Sequence, residues 1–252
     1  MKDNQENNIR NKSQHIFIYH AKFKRLLYKA VGEYAAGKER CKILDIGCGK
    51  GNDLSALCES NPNLRAFGMD VSGENLAAGG GVKKGINFFQ GNALDIPVKD
   101  GVFEIIITSE MIEHIEKKDA IRFIGELYRV LKSGGRLVVT TPSRHNYTSL
   151  LSKIVPAVFK NKLRKLVWHI RPGQESNPHA YEYTPRELAA LFSCGGFFIE
   201  KIKAGVMRIP LWPLFVKLPF LLLFWKCLDG LINIIPGGIN LKHNFVLIMK
   251  KG

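Results

Sequence analysis

The stretch KILDIGCGKGNDL, Lys42 to Leu54, constrains the fold more than any other part of the chain. An apolar run with Asp45 inside it opens onto glycines at 47, 49 and 51. Glycine on alternate positions just past a strand lets the backbone turn sharply and lets a ligand approach where a Cβ would clash. The dinucleotide fingerprint G-x-G-x-x-G would need its third glycine at position 52, which is Asn52. A carboxylate beside the loop also repels a pyrophosphate, whereas it suits a ligand carrying a cationic ammonium group. The loop therefore reads as a ligand loop of another kind.

Around it, short apolar runs alternate with amphipathic stretches. CKILDIG, NLRAFGMD, GINFFQG, FEIIITS and GRLVVTTP read as five strands, with a helix from about Asn52 to Cys58 after the first. In DAIRFIGELYRVLKSGG, residues Ile121, Ile124, Leu127, Tyr128 and Leu131 recur at helical spacing, with Gly134 as the stop signal. Such alternation predicts parallel strands with helices on both faces, an α/β doubly wound sheet. Folds of this kind bind ligands at the carboxyl ends of their strands. A chain of 252 residues is long enough for one such domain.

The pattern D-x-G-x-G-x-G resembles the first motif of class I S-adenosylmethionine-dependent methyltransferases. Asp70 at the end of FGMD, the stretch GNALDIPVKDGVFEIII and the segment LYRVLKSGGRLVVTTP are similar to the family's later motifs, in order. The resemblance covers about residues 41 to 143, and more loosely 179 to 202. It implies a Rossmann-like, mostly parallel sheet, HNFVLIMKK as an antiparallel last strand, and S-adenosyl-L-methionine as cofactor. By the same resemblance Asp45, Gly47 and Gly49 line the methionine and sugar part, and Asp70 accepts from both ribose hydroxyls. Asn92 and Ala93 meet adenine, and Cys48, Gly51, Val71 and Ser109 complete the cofactor neighbours. The chain departs from the family at Asn92 and at Glu104, where aspartate is usual, and in AAGGGVKKG (77–85), which reads as a glycine-rich loop.

The stretch SEMIEHIEKKD, after the fourth strand, is similar to quinone-biosynthesis methyltransferases of the ubiquinone and menaquinone type, which implies acceptor-side chemistry there. On a helix, Glu110, Glu113 and His114 fall on one side and Met111, Ile112 and Ile115 on the other. His114 is the candidate general base, since imidazole titrates near working pH, with Glu110 and Glu113 beside it. The same three residues could ligate a metal, but a solvated helix face explains them as well, and the expectation is a metal-free site. His179 and Tyr181 precede Thr184-Pro185-x-Glu187, a helix start with a capping box, so core or loop roles suit them.

The net charge of +15 calls for an anionic partner. Residues 127 to 174 hold no Asp or Glu, while Lys153, Lys160, Lys162, Arg164, Lys165 and Arg171 interleave with apolar residues and Trp168. A basic amphipathic segment of this kind suits an anionic membrane surface. The block from 207 to 238 is strongly apolar, but Lys217, Lys226, Pro210, Pro213 and Pro219 interrupt it, so it offers no clean spanning run. The expected organisation is an N-terminal helical cap over 1–40 and a methyltransferase domain over 41–252, with insertions at about 145–178 and 205–240, after strands five and six. Tyr19 or His20 would close over the cofactor, or Ile16, Ile18, Phe23, Leu26, Leu27 and Val31 would pack on the core.

The implied activity is methyl transfer to a small, lipophilic acceptor, at oxygen. Peripheral membrane contact through 150–171 and 207–238 gives access to the acceptor. The same insertions would otherwise form a lid or a homodimer interface. An RNA methyltransferase and a non-catalytic cofactor-binding module are the alternatives, and the absence of a recognisable RNA module argues against nucleic acid. Five cysteines without a CxxC pair and a polar N-terminus predict a cytoplasmic chain, and the two insertions predict peripheral contact with the inner face of the membrane.

Overall fold

The structure is a computed structural model that describes residues 24–80, 85–144, 179–205, 227–228, 230–232, 238, 242 and 244–252. Ile16, Ile18, Tyr19, His20 and Phe23, the basic segment 145–178 and most of the apolar block 205–240 lie outside these residues. In chain order the elements are α1 (24–35), β1 (Cys41–Ile46), α2 (Asn52–Ser60), β2 (Leu64–Asp70), α3 (Gly73–Gly80), β3 (Ile86–Gln90) and β4 (Phe103–Ser109). They are followed by α4 (Ala120–Val130), β5 (Leu131–Pro142), α5 (Pro185–Cys194), β6 (Phe197–Ala204) and β7 (Asn244–Lys251).

The seven strands form one sheet in the order β3-β2-β1-β4-β5-β7-β6. The first five strands are parallel, and β7 runs antiparallel to both neighbours. The doubly wound sheet and reversed last strand are as the sequence predicts. Alternation along each strand sorts side chains into two cores. Leu44, Ile46, Ile106, Leu137, Val139 and Leu247 join Phe123, Ile124 and Leu127 of α4 and Leu188 and Phe192 of α5 on one face. Ile43, Ile105, Ile107, Val138 and Val246 meet Leu27, Ala30 and Val31 of α1 and Leu54 and Leu57 of α2 on the other. Burying a side chain of this size contributes about 1.5–3 kcal/mol, so both faces are anchored by helices that also bring their neighbouring loops to the carboxyl edge.

Two local expectations differ from the structure. Helix α4 ends at Val130 rather than near Gly134, because Leu131 already pairs with Phe103 of β4; Gly134 (φ 71) turns the chain inside the following segment. The stretch 77–80 is the last turn of α3 rather than a loop. The small Gly79 lets that helix approach the glycine loop: a Cβ there would stand 2.7 Å from the Lys50 carbonyl oxygen.

Candidate active site

The glycine loop leaves β1 with three residues in the left-handed region, Gly47, Gly49 and Gly51 (φ 74, 53 and 69). The amides of Gly47 and Cys48 both donate to the Met69 carbonyl at the end of β2 (2.8 and 3.0 Å). The Gly49 amide donates to Asp70 Oδ2 (2.8 Å), and the Ser72 amide donates to Asp70 Oδ1 (2.9 Å). Asp70 thus holds the loop in shape, and each of its oxygens keeps a second lone pair for a ligand.

Beyond the loop lies a cleft of about 450 Å³, lined by Gly47, Gly49, Asp70, Val71, Ala93, Glu110 and His114 together with Ile46, Met69, Ser72, Asn75, Gly91 and Met111. The first seven are sequence-named candidates. Cys48, Gly51, Asn92, Ser109 and Glu113 do not line it. Asp45 does not either: it is buried (2% exposed) beneath the loop. Burial, then the neighbouring Asp53, pushes its carboxyl up to about 8, against the pull of Lys24. Asn92 is exposed, and its Oδ1 accepts from the Leu94 amide (2.9 Å), closing a turn. Ser109 Oγ accepts from Lys24 Nζ (2.8 Å) and shares a bond with Thr140 Oγ1 (2.9 Å). Lys24 also pairs with Asp53, whose Oδ1 accepts from Tyr28 (2.9 Å). Helix α1 therefore reaches the carboxyl edge through contacts that no local pattern announces.

The stretch from Glu110 to Ile115 differs from the predicted helix. Glu110 sits at φ 55, a costly backbone for a residue with a Cβ, and the chain continues as a single tight turn, Ile112–His114. The turn re-sorts the side chains. Met111 lines the cleft, and a Cβ on Gly47 would stand 2.8 Å from its Cγ. Glu113 turns inward, where it is fully buried and its Oε2 accepts from Thr141 (2.9 Å). Burial, then Glu113, pushes the Glu110 carboxyl up to about 8. Burial also raises Glu113, against bonds from its own amide and from Thr141.

Residues 179–183 close over this turn. The Tyr181 amide donates to the Glu113 carbonyl (3.1 Å), and the His179 ring stands edge-on to His114 with centroids 5.2 Å apart. His179 Nδ1 bonds Glu182 Oε1 (2.7 Å), which raises its pKa above the usual imidazole value. The Thr184–Glu187 capping box is present as expected. Glu104 is structural: its bonds from Lys132 and the Lys42 amide outweigh burial and hold its carboxyl below the usual range.

Residues 44–139 match the family model described as a methyltransferase domain. Over these residues the chain is similar to a methyltransferase domain. It is 30% identical to norajmaline N-methyltransferase of Rauvolfia serpentina over 47% of this chain and 42% of that protein. It is 29% identical to demethylmenaquinone methyltransferase of Lactococcus lactis subsp. lactis over 65% of this chain and 68% of that one. The chain spans 36–58% of the length of the first three curated relatives it matches. Its fold superimposes on an SAM-dependent methyltransferase from Methanosarcina mazei with a TM-score of 0.58 at 20% identity, covering 88% of this chain and 96% of that one.

A curated relative from Mycolicibacterium smegmatis, 24% identical over 69% of this chain and 58% of that protein, is named as a probable S-adenosylmethionine-dependent methyltransferase, and the residues here fit that cofactor. A Cβ on Gly49 would meet nothing within 4 Å, which leaves open space at the loop. Asp70 offers two oxygens, and Val71 leaves an apolar side chain 73% exposed at the cleft.

Proposed function

We propose that this chain transfers a methyl group from S-adenosyl-L-methionine to a small, lipophilic acceptor, at oxygen. The observation that carries the reading is one cleft with Gly47, Gly49 and Asp70 in its wall and Glu110 and His114 in the same lining. A displacement at a methyl carbon needs mainly alignment of the reacting atoms, and a hydroxyl acceptor needs a base within reach. On this reading Asp70 takes the ribose hydroxyls, Val71 and Ala93 pack the adenine, and Asp45 lies buried beneath the loop at the methionine end. His114 takes the acceptor proton, with Glu110 beside it. Helix α1 packs on one face of the sheet.

The demethylmenaquinone methyltransferase relative supports a lipophilic acceptor. The basic and apolar insertions support peripheral binding to an anionic inner membrane face. Among the described residues no helix is long and apolar enough to cross a membrane.

The test incubates the full chain with methyl-labelled cofactor and a total lipid-and-quinone extract, in parallel with an aqueous metabolite extract and total RNA. Label should appear in the lipid-soluble fraction and fall at least about 100-fold in His114→Ala, the usual contribution of a general base. Label confined to the aqueous or RNA fraction would sink the acceptor reading.

A further inference from the structure

Glu113 is a fully buried carboxylate. Its Oε1 has no hydrogen-bond partner among the described residues, and no described lysine or arginine forms an ion pair with it or with Glu110. A buried acid in that state is costly unless something positive meets it. One carboxylate oxygen of Glu113 and one ring nitrogen each of His114 and His179 lie within 4.8 Å of one another. We infer that Glu113, His114 and His179 form a binding site for one first-row divalent cation beside the acceptor end of the cleft.

The donor set carries the inference. Two imidazoles and a carboxylate suit zinc and its neighbours, and three protein ligands leave a position open for an exogenous oxygen. The outer partners a metal ligand needs are already present. Glu182 engages His179 Nδ1, so Nε2 is the nitrogen that faces an ion, and Thr141 fixes Glu113 Oε2, so Oε1 is the oxygen offered. Bonds of about 2.1 Å set tetrahedral ligand atoms about 3.4 Å apart, so the three side chains need to close in by an ångström or so. His179 is exposed, on the segment 179–184 ahead of α5, and can rotate to do this.

Binding of the ion does not depend on the proposed methyl acceptor. If that acceptor is a hydroxyl, however, the open position is where it would be ionised, its proton leaving to solvent, and His114 would then serve as ligand rather than base.

The full chain, stripped with chelator and dialysed, is titrated with Zn²⁺ and with Mn²⁺ by calorimetry, and cofactor binding is measured on the same samples. One ion per chain should bind in the wild type. His179→Ala should lose that site while still binding cofactor, which separates loss of the site from loss of the fold. Glu182→Gln should weaken the ion about 10–100-fold, as outer-shell changes do. No binding of either ion by the wild type, or unchanged binding by His179→Ala, overturns the inference. Neither result would alter the lipid-fraction labelling test.

Discussion

Asp70→Asn separates the two duties assigned to one side chain. In the structure both carboxylate oxygens accept backbone amides, from Gly49 at 2.8 Å and Ser72 at 2.9 Å. Asparagine keeps one acceptor oxygen and turns an NH₂ toward the other amide. One bond to a charged acceptor, about 1.5–3 kcal/mol, is lost, and the second weakens toward about 1 kcal/mol. A net cost of about 2 kcal/mol follows for the ligand-free protein. At about 2–4 °C per kcal/mol for a chain of this size, melting should fall by about 4–8 °C. The bound ribose would lose one of its two charge-assisted bonds as well, and 1.4 kcal/mol is a factor of ten. Cofactor affinity by calorimetry should therefore drop at least about tenfold. A melting temperature within about 1 °C of wild type refutes the loop argument, and an affinity within about threefold refutes the ribose assignment.

Ligand-free stability should fall as pH rises from about 5 to 8. The folded chain holds protons on Asp45 and Glu110, both pushed up to about 8, that the unfolded chain has already released. His179, also raised, acts in the same direction. Asp45→Asn should flatten the slope in a series of thermal melts, and stability that climbs over this window would contradict the burial of these acids. Gly79→Ala puts a Cβ 2.7 Å from the Lys50 carbonyl oxygen. Because that neighbour is backbone, α3 must shift, at a cost of about 1–3 kcal/mol in urea unfolding together with weaker cofactor binding. Thr184→Ala removes the capping box of α5 and should cost about 1 kcal/mol while leaving cofactor affinity unchanged.

The strands and the glycine loop were legible because each is a local signal: an apolar run, then glycines where positive φ is needed. The capping box of α5 was legible for the same reason, since Thr184 and Glu187 satisfy each other within one turn. The acceptor end was not. A helical projection of residues 110–115 assumes uniform backbone, and Glu110 at φ 55 breaks that assumption at the first residue. Met111 and Glu113 then exchange the surroundings that the projection gave them. Lys24 could not be assigned either, since its contacts with Asp53 and Ser109 cross 29 and 85 residues of chain. Gly79 looks like loop composition, yet its lack of a side chain serves helix packing. His179 precedes a helix start that explains its neighbours without it, and only the fold sets it beside His114.

The reversed direction of β7 fixes where the rest of the chain attaches. Asn244 at the start of β7 pairs with Pro142 at the end of β5, and Phe245 pairs with Ala204 at the end of β6. Ser143 bridges Tyr183, and the Gly205 amide donates to the Asn244 carbonyl (2.8 Å). Both long excursions, 145–178 and 206–243, therefore leave from and return to the same rim of the sheet, each through a closed pair of backbone anchors. The anchor pairs themselves are set by the strand ends, where the register of β5, β6 and β7 is already fixed. A chimaera carrying another chain's segment between the same anchors should therefore keep the pairing of β5 with β7 and of β6 with β7.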